Sequence, residues 1–70
     1  GNSMFMKLKI REVRKRRNLT QIELAKLTGI SKSSISRYER EELWPDMLEM
    51  EWIALAMDVK ITDLFDSEVK

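Results

Sequence analysis

Four side chains carry the recognisable chemistry of this 70-residue chain: Lys32, Ser33, Ser36 and Arg37. Their spacing places Lys32 and Ser33 in the first turn of a helix and Ser36 and Arg37 one turn further along the same side. They are two cations and two hydroxyls, all hydrogen-bonding groups, and none is an activated nucleophile. Such a set suits non-covalent recognition of a polyanion that has polar edges. Arg37 and Lys32 can each reach paired acceptors such as guanine O6 and N7, and the serines can donate or accept. Covalent chemistry has little to work with, because the chain has neither Cys nor His. Thiol nucleophiles, imidazole bases, disulfides and the usual Cys/His zinc sites are excluded together. Carboxylates such as Glu49 and Glu51 read as helix-surface charge, and no nucleophile, base and orienting group can be assembled. The expectation is a binding protein, not an enzyme, with no metal and no cofactor.

The elements that must position these groups are legible from their ends. Thr20 and Glu23 form a capping box, which opens a helix at Gln21. Ile22, Leu24, Ala25 and Leu27 continue it to Gly29, a residue able to take the left-handed backbone that stops a helix. Ser31 then caps a second helix from Lys32 to about Arg40, with Ile35 and Tyr38 as its buried side. Two helices across a glycine turn, the second polar and basic on its outer face, match the pattern of a DNA-reading helix-turn-helix.

At this point the chain resembles the phage repressor and Cro-type helix-turn-helix family, also called the XRE family. The matching residues are Ile10 and Arg14; Leu19, Thr20, Gln21, Leu24 and Ala25; Gly29 to Ser31; Ser34 to Ser36; Glu39; Pro45; and Ala54, Met57, Val59, Ile61 and Leu64. The resemblance covers about residues 6 to 65, nearly the whole chain. The resemblance implies an all-α fold, a compact five-helix domain like that of lambda repressor, with the helix-turn-helix at helices 2 and 3. It implies base contacts from Lys32, Ser33 and Arg37, to which the spacing adds Ser36. Phosphate contacts are expected from Arg14, Thr20, Gln21 and Ser31, with Gln21 also bracing the first residue of helix 3. Arg14 and Glu39 are expected to form a partly buried ion pair, structural before anything else.

Net charge is +1, but the charges are segregated. Residues 1 to 40 hold eleven Lys and Arg against three Asp and Glu, and residues 41 to 70 hold two against nine. A solvated surface needs charge without needing one sign confined to one end, so the first half reads as a polyanion-binding face. The longest apolar run, Trp52 to Met57, is far short of the roughly twenty residues that span a bilayer. A soluble, cytoplasmic protein without a membrane partner is expected. Gly1, Asn2 and Ser3 ahead of Met4 read as a cloning remnant, and residues 4 to 70 as one domain.

Helix 1 is expected from Met6 to Arg17, with Met6, Ile10 and Val13 turned inward, and Asn18 taking the left-handed position after it. Arg40-Glu41 stands where the family commonly has Asn-Gly. Either a non-glycine residue there takes positive φ under modest strain, or helix 3 gains half a turn. Asp46 and Glu49 form a second capping box that opens helix 4, which runs to about Met57. Met47, Met50, Ile53, Ala54 and Met57 are its expected core stripe, and Val59, Ile61, Leu64 and Phe65 supply a last short helix. Leu48, Trp52 and Leu55 form a second apolar stripe on another face. Either Trp52 folds over Phe5 to complete the core, or this stripe joins Leu43 and Trp44 in a dimer contact.

The leading expectation is a sequence-specific double-stranded DNA-binding regulator, a repressor acting as a homodimer on a palindromic operator. Its control would come through concentration or through a regulatory protein bound to the acidic half. The alternative is a protein-interaction module, such as an antitoxin or anti-repressor, using the same fold.

Overall fold

The computed structural model describes residues 6–68. In chain order the elements are strand β1 (Met6–Leu8), helices α1 (Ile10–Arg16), α2 (Gln21–Thr28), α3 (Lys32–Glu39) and α4 (Met47–Met57), a 3₁₀ helix at Ile61–Leu64, and strand β2 (Phe65–Ser67). Among the described residues there are thus four α-helices, not five, in a helical fold to which a small two-stranded sheet is added. The expected fifth helix is a single 3₁₀ turn. Asp63 accepts the Lys60 amide at 2.9 Å to start that turn, and Phe65 then goes extended to enter the strand.

The two ends pair antiparallel, Met6 opposite Ser67, Lys7 opposite Asp66 and Leu8 opposite Phe65. This pairing is why α1 starts at Ile10 instead of Met6. The Lys9 amide donates to the Leu64 carbonyl at 2.7 Å, which carries the chain from strand into helix. Met6, expected inside, is half exposed, and Leu8 takes its place in the core.

Each helix start and stop has a local cause. In α2 the Glu23 amide donates to Thr20 Oγ1 at 3.0 Å while the Thr20 amide donates to Glu23 at 2.8 Å. Asp46 and Glu49 repeat this reciprocal pair at α4, with bonds of 2.8 and 3.0 Å. Ser31 caps α3 by accepting the Ser34 amide. All four helices end on a left-handed residue: Asn18 (φ 57°), Gly29 (77°), Glu41 (58°) and Asp58 (57°). The first expected possibility at Arg40-Glu41, positive φ on a non-glycine residue, is therefore the one adopted. Three of these ends are Schellman motifs, in which two successive amides fold back onto the last turn. Asn18 and Leu19 donate to Lys15 and Arg14, Glu41 and Glu42 to Tyr38 and Arg37, and Asp58 and Val59 to Leu55 and Ala54.

The core joins all the helices through Ile10 and Val13, Leu24 and Ile30, Ile35 and Tyr38, Met50, Ile53, Ala54 and Met57, and Leu64. Met47 departs from its expected place. Standing in the first position of α4, it overhangs the core instead of entering it and is 69% exposed. Leu48, Trp52 and Leu55 lie outside the core as a separate exposed stripe, as do Leu43 and Trp44. Residues 1 to 3 and Phe5, with the expected Trp52 contact to Phe5, lie outside the described residues.

Candidate nucleic-acid interface

Helix α3 is turned inward by Ile35 and Tyr38, both buried, and outward by Lys32, Ser33 and Arg37, all exposed. This split follows from helical spacing, since the inner pair is three residues apart and the outer set fills the opposite side. Ser36 sits between the two sides. Its Oγ accepts a hydrogen bond from Arg40 Nη1 at 2.8 Å, so it is held by its own helix and is only partly accessible. Ser31 has a structural role as the cap, and its Oγ also donates to Ser34 Oγ at 3.0 Å.

Besides its core residues Ile35 and Tyr38, α3 is tied to the rest of the molecule by a network of three side chains, Arg14, Gln21 and Glu39. Arg14 on α1 donates through Nε and Nη2 to the two carboxylate oxygens of Glu39, at 2.6 and 3.0 Å. Its Nη1 donates to the Leu19 carbonyl at 2.8 Å. Gln21, the first residue of α2, donates its side-chain amide to Glu39 Oε1 at 2.9 Å. The expected Arg14–Glu39 ion pair is present. Gln21, expected to brace the first residue of α3, is instead bonded to the last. Arg14 is a different matter as a phosphate ligand. All three guanidinium nitrogens are engaged and the side chain is 10% exposed, so it braces the site from inside.

The electrostatics follow from this geometry. Burial alone would raise the Glu39 carboxyl, but the hydrogen bonds from Arg14 and Gln21, with the nearby charges of Arg14 and Arg11, hold it below the usual carboxylate range. Arg14 is pushed the other way by the same hydrogen bond, against the effect of its burial. Tyr38 is pushed up to about 12, first by burial and then by the Glu49 carboxylate beside its hydroxyl.

Beside the network is a cleft of about 240 Å³ lined by Arg11, Arg14, Gln21, Ser36, Glu39 and Arg40. Arg11 and Arg40 were not among the DNA-contacting residues expected from the sequence. Arg40 had a signal, since it stands four residues after Ser36 on the same helix side. Thr20, the exposed cap residue just before Gln21, accepts the Glu23 amide on its hydroxyl and keeps a proton to donate. No group of His, Cys, Asp and Glu that could hold a metal occurs among the described residues.

Comparison with known proteins agrees with this geometry. The HTH_3 family, described as helix-turn-helix, matches residues 10–64. The immunity repressor protein of Bacillus phage phi105 is 30% identical over 60 residues. That match covers 86% of this chain but 42% of the repressor, so the chain spans about two fifths of that relative's length. A candidate DNA-binding protein from Bacteroides fragilis has the same fold, with a TM-score of 0.83 at 24% identity, over 89% of this chain and all of that one. An HTH_3 family transcriptional regulator from Vibrio cholerae has a TM-score of 0.73 at 30% identity, over 77% of this chain and 30% of that one. With the family match running over residues 10–64, the chain belongs to the HTH_3, or XRE-type, helix-turn-helix family.

Proposed function

We propose that this protein is a sequence-specific double-stranded DNA-binding regulator that acts in the cytoplasm as a homodimer on a two-fold operator and represses by occupying promoter DNA. The observation that carries this reading is the division of α3. Its inner side is locked by Glu39 to α1 and α2, while Lys32, Ser33 and Arg37 stand exposed on a surface belonging to the basic half of the chain. A rigid helix with cationic and hydroxyl groups at its start and outer side is what major-groove readout requires. Ser36 would serve at the edge of the reading surface. Thr20, Gln21 and Ser31 stand at the helix starts, where amides and hydroxyls can meet the phosphate backbone.

Affinity for duplex DNA is expected to fall by about a thousandfold or more between roughly 50 and 200 mM salt, because several phosphates are contacted. Arg37→Ala and Lys32→Ala should each relax the base preference at one half-site position, at about 1 to 3 kcal/mol. Gln21→Ala should weaken all sequences alike. Selection of bound fragments from random duplexes reads both effects. Unchanged preference in the α3 variants would show that the reading surface lies elsewhere.

A second reading, a protein-interaction module such as an antitoxin or anti-repressor, is favoured by the exposed apolar residues Leu43, Trp44, Leu48, Trp52 and Leu55 on the acidic half. The same face could hold a regulatory protein. Salt-indifferent binding, or none, would favour this module over the DNA regulator.

A further inference from the structure

We propose that Glu42 is a built-in substitute for a DNA backbone phosphate, one that occupies the Arg40 guanidinium until DNA displaces it. The inference rests on the DNA-binding reading above and concerns how tightly DNA is held. Arg40 donates through Nε and Nη2 to the two oxygens of Glu42, at 3.0 and 3.1 Å. This is the two-pronged fork that arginine presents equally to a carboxylate or a phosphate. Its remaining nitrogen, Nη1, donates to Ser36 Oγ, which fixes the fork at the edge of the cleft lined by Arg11, Gln21 and Ser36. Arg14 in that cleft is committed to Glu39 and Leu19, so the charge it can turn toward a phosphate comes from Arg11 and Arg40.

The position of Glu42 is set by the backbone. The left-handed turn at Glu41 returns the Glu42 amide to the Arg37 carbonyl at 2.9 Å, and this brings its carboxylate against Arg40. Yet the pair is easily exchanged. Both side chains are about half exposed, 56% and 52%, and an ion pair so wet holds weakly. A phosphate carried by a duplex that α3 already engages can therefore take the fork from Glu42. Arg40 would then hold the backbone while still orienting Ser36. The carboxylate lowers affinity by competing for one specific guanidinium, and not merely by repelling the DNA.

Fluorescence anisotropy with a mixed-sequence duplex of about 20 base pairs at fixed moderate salt tests this, since phosphate contacts need no particular sequence. Glu42→Gln is expected to tighten binding by roughly three- to fivefold, the strength of the exposed pair that DNA no longer has to break. Glu41→Gln removes the same charge one residue earlier and should change affinity less than about twofold if the fork is what matters. The double variant Arg40→Ala/Glu42→Gln decides between competition and repulsion. Competition predicts that Glu42→Gln gains almost nothing once Arg40 is Ala. Repulsion predicts an equal or larger gain there, because the carboxylate would then be unneutralised. An unchanged affinity for Glu42→Gln, or a gain that persists without Arg40, overturns the proposal and leaves the DNA-binding reading intact. Failure of the wild type to bind the duplex even at low salt would overturn both.

Discussion

Glu39 is a carboxylate with a side chain 3% exposed, a setting that ordinarily favours the neutral acid, and it is held ionised by Arg14 and Gln21. The sign of its pH effect follows. Its folded-state carboxyl titrates below the usual value of 4.5, so its contribution is complete above that value and is lost as pH falls through the lower folded one. Urea melts taken at pH 7, 4.5 and 3 should show stability declining over the last interval, and Glu39→Gln should flatten that decline. Glu39→Ala at neutral pH should cost about 3 kcal/mol or more, since it leaves the Arg14 guanidinium buried without its partner. Tyr38 behaves oppositely. Its phenol is raised from 10 to about 12 in the folded state, so stability holds below pH 10 and declines as pH rises from there toward 12. Tyr38→Phe should remove this alkaline decline in a thermal melt series. Of these residues, the burial of Tyr38 was readable from helical spacing. The Arg14–Glu39 pair was not, because its members are 25 residues apart and only the resemblance to a family joined them. The bond from Gln21 to the end of α3 had no local signal at all.

The helices depend on short-range devices, and these were the most legible features of the sequence. Thr20 with Glu23, Asp46 with Glu49, Ser31, and the left-handed Asn18 all act within four residues, so type and spacing sufficed. Thr20→Ala should cost about 1 kcal/mol in a chemical denaturation experiment. Glu41 is the place where the local rule is broken. It takes φ 58° with a β-carbon, at a position where glycine would be unstrained. Glu41→Gly should therefore stabilise the fold by about 0.5 to 1 kcal/mol, net of the extra freedom glycine gains when unfolded. A loss of stability would show that the Schellman turn draws more from the glutamate side chain than from its backbone. What the sequence hid was set by distant partners. Met6–Leu8 became a strand because Phe65–Ser67 returns beside it, and the Met-Lys-Leu alternation is too short to announce that alone. Met47 shares helical spacing with the core residues of α4, but periodicity does not reveal that the core ends before the first turn does.

At the scale of the molecule, the basic half contains α1 to α3 and the acidic half contains α4 and the closing strand. DNA would occupy the first, and a single domain of this size covers about one half-site. In the proposed dimer, two copies with recognition helices about 34 Å apart would meet through the second. The exposed Leu43, Trp44, Leu48, Trp52 and Leu55 would supply the apolar surface for that contact. Sedimentation should show weak, concentration-dependent self-association that Trp44→Ala or Trp52→Ala reduces. A strict monomer that also binds DNA without cooperativity would refute the dimer. The small sheet has a consequence of another kind. Because Met6 lies opposite Ser67, the backbone enters and leaves the domain at neighbouring points and in opposite directions. A module with that property can be spliced into a surface loop of an unrelated host without prying the loop apart. On the proposed DNA-binding reading, a fluorescent or enzymatic host carrying the segment from Met6 to Ser67 would report duplex occupancy through a junction only one strand pair wide.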